Sequence, residues 1–509
     1  MYSKVKTCVL QGLNGFIIEV ETDISRGLPT FNIVGLPDTA IKESKERVRT
    51  AIKNSGYEFS LNRITINLAP ANLKKEGSQM DLSIAIGVLS AMGVVNNCDL
   101  NGISFLGELS LDGKINKIEG ALPMVISLRE MNIKNIVLPY DNRDECGVID
   151  DVNIIPIKDL NELIMYLNGE FKIEYYKKDI RDLFDVNDNF ADDFSDIKGQ
   201  EGLKRALEVS AAGSHNILII GPPGSGKTMA ARRLPSILPN LTFEESIEIT
   251  KIYSVAGLLN DEFLVSRRPF RAPHHTASAT ALIGGGRVPK PGEVSLAHHG
   301  VLFLDELPEF QKNVLEVLRQ PMEDGFVTIS RVNATLSYPA EFMLVASMNP
   351  CPCGYFGDPY HECTCSESSI EKYLSKISNP LLDRIDIHTE VMPVDYSDLE
   401  KNIKAESSKN IKKRVDEARK IQIERYRNEG IYSNGQLSSK NIKKYCKLNS
   451  GAEKIMKEAF KKFKFSARSY NKILKVARTI ADLDGEKNIM EKHVLEAIQY
   501  RSLDKKYWG

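Results

Sequence analysis

At 509 residues the chain is too long for one hydrophobic core, and the size of ordinary domains suggests about three. Hydrophobic residues make up 42% and charged residues 27%, near the soluble average, and no apolar run reaches the roughly 20 residues of a membrane span, which argues against a spanning protein. The formal charge of −1 conceals an asymmetry: residues 401–509 hold 28 Lys and Arg against 13 Asp and Glu, a net of +15 that fits either a polyanionic partner such as nucleic acid or lysines solvating helix faces.

The first residues, Met1 to Thr7, lack the apolar core and cleavage site of a secretory signal, so the protein is expected to be cytoplasmic. From Val5 to Leu167, strand-like runs (Phe16 to Glu21, Ile64 to Leu68, Ile136 to Leu138) alternate with helical patterns at Ala40 to Asn54 and Asp81 to Met92. This predicts an α+β domain over 1–170, followed by a polar, charge-rich linker over 171–192. A second α/β domain over 193–395 contains three apolar runs, Ile217 to Ile220, Val301 to Leu304 and Phe342 to Ala346, each ending in polar or glycine-rich residues. In parallel sheets, ligands gather at those carboxyl ends. A third domain over 398–509 is helical, with helices expected at Asp398 to Glu429, Ser438 to Lys447, Gly451 to Phe463, Ala467 to Leu483 and Met490 to Tyr500.

Between Ile220 and the next helix stands Gly221-Pro222-Pro223-Gly224-Ser225-Gly226-Lys227-Thr228, the G-x-x-x-x-G-K-[ST] spacing of a phosphate-binding loop in the strand-to-helix context it requires. Its glycines let backbone N–H groups face phosphates, Lys227 reaches the terminal phosphates, and Thr228 can ligate Mg²⁺. With Met229, these residues are the candidate ATP-binding set. Val301 to Leu304 then delivers Asp305, a candidate for the magnesium shell, and Glu306, a candidate for polarising the attacking water. Asn349, at the end of the third apolar run, can hold the water or γ-phosphate from the opposite side, or simply cap a turn.

The Walker pair, Asn349, the string Asn379-Pro-Leu-Leu-Asp-Arg384-Ile-Asp and the helical Ser466-Ala-Arg468 together resemble an AAA+ ATPase. The resemblance implies that Asn349 is sensor 1, Arg384 the arginine finger offered to a neighbouring subunit, and Arg468 the sensor 2 arginine of the same chain. Arg384 has a second reading, an internal pair with Asp383 or Asp386. Four further strings narrow the likeness to the magnesium-chelatase-like ATPases and the YifB/ComM family: Asp193 to Gln200, Arg268-Pro-Phe-Arg-Ala-Pro-His-His275, Ser295 to Glu309 and Leu318 to Gly325. This likeness covers essentially the whole chain. The family is bacterial and includes a hexameric DNA helicase that drives branch migration in natural transformation. It implies a homo-oligomer, a hexamer, acting on DNA. In this clade the stretch Gly284 to Glu293 corresponds to an insertion facing the ring pore. Its glycines and prolines are expected to exclude regular structure, and Arg287 and Lys290 either grip phosphates or belong to a solvated loop. His274, His275, His298 and His299 are expected to serve structural or interface roles.

Gly107 to Gly120, with the helix and strand after it, resembles the ribosomal-protein-like proteolytic domain of Lon. The catalytic pair does not carry over: Gln79 stands at the nucleophile's place, Leu122 at the lysine's, and Ser78 is displaced without an activating base. A non-proteolytic scaffold is expected.

Cys351, Cys353, Cys363 and Cys365 form paired C-x-C motifs directly after Asn349. They are a candidate structural Zn²⁺ site in preference to free thiols. The leading functional expectation is a ring-forming, ATP-driven DNA motor, and the alternative is a magnesium-chelatase-type ATPase that remodels a protein partner.

Overall fold

The computed structural model describes residues 1–95, 99–179, 192–259, 262–286, 289–331, 334–393 and 405–508. The chain forms two compact units, Met1–Asp185 with Ser246–Ser266, and Val186–Glu245 with Arg267–Gly509. Among the described residues no helix is long and apolar enough to cross a membrane.

The first unit is built on a seven-stranded mixed sheet. Tyr2–Gln11 and Asn14–Ser25 form an antiparallel hairpin, Arg63–Ala69 adds antiparallel to its second strand, and Thr30–Val34 pairs parallel with Arg63–Ala69. On the other side Ile103–Phe105, Asn135–Pro139 and Asn153–Ile157 continue in parallel. Alternation buries Ile18, Val20 and Ile24 on one side of the second strand. The helix Asp81–Ala91 is apolar over most of its surface and is buried except at Ser90.

Two segments group differently from the sequence-based boundaries. Residues 171–179, expected as linker, dock on the first unit: Tyr176 N donates to Ile154 O (2.8 Å), and Lys178 Nζ meets Asp144 Oδ1 at 2.9 Å. Ser246–Ser266, expected within the ATPase domain, belongs here too, with Gly120 N donating to Ser254 O (3.1 Å) and Lys117 Nζ to Leu259 O (3.2 Å). These polar anchors carry no periodicity, which is why pattern reading passes over them. Ser78 donates to the Glu108 carboxylate, and Leu122 is buried.

The second unit holds a five-stranded parallel sheet in the order Phe270–Arg271, Val301–Leu304, Met343–Met348, Ile217–Ile220, Ile387–Glu390. The three central strands are apolar and fully buried because helices cover both faces. The carboxyl-terminal helices Ser408–Tyr426, Ser439–Tyr445, Ser450–Phe463, Ala467–Leu483 and Glu491–Trp508 join that same core, with Ile411, Val415, Ile473, Ala477 and Val494 packed in one cluster with Ile217 and Val345. Ala467–Leu483 is amphipathic and capped by the Ser466 hydroxyl, which accepts from Ser469 N.

The stretch after Ile283 corrects an expectation. Gly284–Gly285 pairs antiparallel with Lys290–Pro291, where irregular chain was expected. Gly284, at φ +96°, makes this approach feasible: a Cβ there would stand 2.4 Å from Lys290 O. Arg287 lies outside the described residues. A second hairpin, Phe326–Arg331 with Ala334–Pro339, was not anticipated.

Candidate nucleotide-binding site

Ile217–Ile220 ends at the loop, and the helix Lys227–Arg233 begins directly after Gly226. Gly224 (φ +76°) and Gly226 (φ +86°) take left-handed conformations that open the loop, while Ser225 Oγ donates to Pro222 O at 2.8 Å and closes its base. Pro223, Gly224 and Met229 are exposed around this mouth. Lys227 Nζ donates to Gly221 O and Pro222 O, each at 2.8 Å, and to Asn349 Oδ1 at 3.2 Å. Burial pushes the Lys227 ammonium down to about 8, against the pull of Asp305 and Glu306.

Thr228 Oγ1 donates to Asp305 Oδ2 at 2.7 Å, so the expected magnesium-binding oxygens already meet. This hard-oxygen pair fits Mg²⁺, which when bound neutralises charge on the phosphates. Ser347 donates to the other Asp305 oxygen and so fixes the carboxylate plane. Sequence reading missed Ser347, yet the signal was present: it lies two residues before Asn349 and on the same side of the strand. Glu306 stands at φ +53°, a conformation uncommon for a residue with a side chain, with its N–H donating to Asp305 Oδ1 (3.1 Å). His275 Nδ1 lies 3.7 Å from the Glu306 carboxylate.

The arginines lie elsewhere. Asp386 N and Ile387 N donate to Asn216 O, just before Ile217, whereas Val391 N donates to Ile220 O beside the phosphate-binding loop. Arg384 therefore stands at the amino ends of the strands, about 13 Å of strand away from the loop. Its side chain is 14% exposed and donates to Pro380 O (2.6 Å) and to the Glu323 carboxylate, not to Asp383 or Asp386. Arg468, 64% exposed, lies 3.9 Å from Asp383. Arg468 thus lies against Asp383, the residue before Arg384.

Past Asn349 the four cysteine sulfurs come together within 4.8 Å of one another. Cys351 Sγ lies 3.3 Å from Cys353 Sγ and 3.7 Å from Cys363 Sγ, and Cys353 Sγ lies 3.5 Å from Cys363 Sγ. Desolvation raises the Cys353 thiol, but the N–H groups of Tyr355 and Thr364 and its cysteine neighbours outweigh it and bring it to about 6.

Sequence comparison agrees with this geometry. The magnesium chelatase ChlI-subunit family matches residues 193–399, two further ChlI-subunit families match 20–142 and 405–501, and the competence protein ComM of Haemophilus influenzae is 40% identical over 497 residues, covering 97% of this chain and 96% of its own. The chain belongs to the YifB/ComM family of magnesium-chelatase-like AAA+ ATPases. Escherichia coli YifB is 42% identical over 504 residues, with 99% of this chain and 97% of that one covered. The 38 kDa magnesium-chelatase subunit of Rhodobacter capsulatus is 27% identical over 174 residues, which is 31% of this chain and 50% of that subunit. Family membership makes the loop at 221–228, with the Asp305–Thr228 pair and Asn349 beside it, the candidate nucleotide site.

Proposed function

We propose that this protein is an ATP-driven motor that works as a homo-oligomeric ring, a hexamer, on DNA. The observation that carries the ring is the position of Arg384 at the end of the sheet opposite Lys227. An arginine there can complete only another subunit's site, where it stabilises charge on the phosphoryl group in transfer. Within each site Lys227 draws the terminal phosphates, Thr228 and Asp305 hold Mg²⁺, Asn349 and Glu306 orient the attacking water, and Glu306 accepts its proton.

For the track, the near full-length likeness to a competence protein favours DNA over a chelatase-type protein partner. Lys454, Lys457 and Lys461 support this choice: spaced three and four apart on Ser450–Phe463, they form an exposed basic stripe. The amino-terminal unit serves as a Lon-like, non-proteolytic scaffold. Zn²⁺ is the ion for the four cysteines, as thiolates favour it and a tetrahedral Zn–S shell spaces sulfurs by about 3.8 Å.

ATPase assays with single-stranded and forked DNA across a salt series test this reading. Stimulation that weakens as salt rises is expected, and absence of any DNA response at low salt would return the protein-remodelling alternative.

A further inference from the structure

The cysteine loop touches more than itself. Cys351 follows Asn349 by two residues, and Asn349 Oδ1 accepts from Lys227 Nζ at 3.2 Å. Gly354, at φ +90°, lies flat on the phosphate-binding loop: a Cβ built there would stand 2.6 Å from Pro223 Cδ. The loop is folded around its sulfurs by Gly354 N donating to Cys351 O (3.0 Å), Phe356 N to Cys351 Sγ (3.3 Å) and Cys353 N to Cys365 Sγ (3.4 Å). Its far side rests on the last helix, where the Phe356 ring meets Tyr507 at 6.3 Å. Tyr507 and Lys506 in turn bind Glu390, the residue before Val391, whose N–H donates to Ile220 O at the root of the loop.

Resting on the zinc reading above, we propose that Zn²⁺ at Cys351, Cys353, Cys363 and Cys365 is a brace for the nucleotide pocket, so that metal occupancy sets affinity for ATP. The physical reason is economy of contacts. The segment from Cys351 to Cys365 has no helix or strand of its own, and four sulfurs within 4.8 Å offer one ion a complete set of ligands, so the bound ion supplies the cross-links that hold the segment together. Release of the ion lets the sulfurs separate, which withdraws Gly354 from Pro223 and frees Asn349 from its place at Lys227. The pocket then has to be ordered by the nucleotide itself, at a cost in affinity.

The test uses the full-length protein, purified without chelators, with zinc measured by atomic emission and the affinity for a fluorescent ATP analogue measured in excess Mg²⁺. One zinc per chain is expected. Treatment with a zinc-selective chelator should weaken nucleotide binding by about tenfold, with recovery on adding Zn²⁺. Gly354→Ala should retain its zinc and its circular dichroism yet show a comparable loss, because its defect lies at Pro223 and not at the sulfurs. Protein without zinc overturns the metal assignment. Protein that holds zinc, loses it to the chelator and binds nucleotide with unchanged affinity overturns the brace while leaving the metal assignment intact.

Discussion

Arg468 Nη1 lies 3.9 Å from Asp383 Oδ2, one residue from Arg384, so an arginine of the helix Ala467–Leu483 and one of the turn after the helix Asn379–Leu382 come near each other at the amino ends of the sheet. If that surface completes a neighbour's site, Arg384→Ala and Arg468→Ala should each reduce turnover by at least about a hundredfold while nucleotide affinity changes little. Lys227→Ala should abolish binding. Mixing Lys227→Ala with Arg384→Ala subunits should restore part of the activity, since some interfaces then combine an intact loop with an intact arginine. Steady-state ATPase measured across mixing ratios checks this, and strict additivity of two inactive proteins would place both arginines in their own chain's site.

The same site carries a pH signature. Burial disfavours the Lys227 ammonium and brings it down to about 8 in the nucleotide-free protein, whereas a bound triphosphate favours the charged form. Binding therefore takes up a proton where the free lysine is neutral, and affinity should fall as pH rises from 7 through 9, approaching about tenfold per unit above 8. Calorimetry in two buffers of different ionisation enthalpy measures the uptake. Lys227→Arg should bind without it.

How much of this was legible beforehand follows from what the signals are. Ile217 to Ile220 and Val301 to Leu304 appear with the ends expected, because a buried parallel strand is a short apolar run with polar punctuation, and Ala467 to Leu483 because its apolar period and its Ser466 cap agree. Phe270–Arg271 and Ile387–Glu390 escaped, the first being two residues long and the second carrying His388 and Thr389 in its buried run. The phosphate-binding-loop pattern was legible because the spacing of such a loop is fixed by the phosphates it holds. The partners of Arg384 could not: Glu323 is 61 residues away and no local pattern links the two.

Asp386 ties the carboxyl-terminal helices to the sheet. Its carboxylate lies 3.3 Å from His215 Nδ1 and 3.4 Å from Lys472 Nζ. Desolvation would raise it, but Lys472 and His215 hold it well below the usual carboxylate range. A carboxyl depressed on folding stabilises the protein fully above its unfolded value near 3.9, and that stabilisation is lost as pH falls toward the folded value. Asp386→Asn should cost about 3 kcal/mol at pH 7 by leaving Lys472 with only the Ile385 carbonyl and no opposite charge, and should flatten the acid limb of the stability curve. Thermal melts from pH 3 to 7 read both effects.

The basic stripe predicts a change in salt response rather than in catalysis. Replacing Lys454, Lys457 and Lys461 by glutamine should leave DNA-free ATPase unchanged and weaken single-stranded DNA binding. If each lysine neutralises one phosphate, the slope of log affinity against log salt should become shallower by about two. Fluorescence anisotropy from 50 to 300 mM salt, chosen as roughly the range where such slopes are measurable, checks it. An unchanged slope would place the contact elsewhere on the chain.

Ser347 offers a test of how Asp305 is aimed. Its hydroxyl donates to one carboxylate oxygen while Thr228 donates to the other at 2.7 Å, so the carboxylate is gripped on both sides before a metal arrives. Removing a group that orients a metal ligand commonly weakens the metal by 10- to 100-fold, on the order of 1.4 to 2.7 kcal/mol. Ser347→Ala should accordingly raise the Mg²⁺ concentration needed for half-maximal ATPase by at least about tenfold, while turnover at saturating Mg²⁺ falls far less. Ser347→Thr keeps the hydroxyl and should recover most of the loss. Magnesium titrations at fixed ATP separate the two effects: a fall in turnover with an unchanged Mg²⁺ requirement would mean that Ser347 acts on Glu306, whose N–H also lies 3.4 Å from the serine hydroxyl.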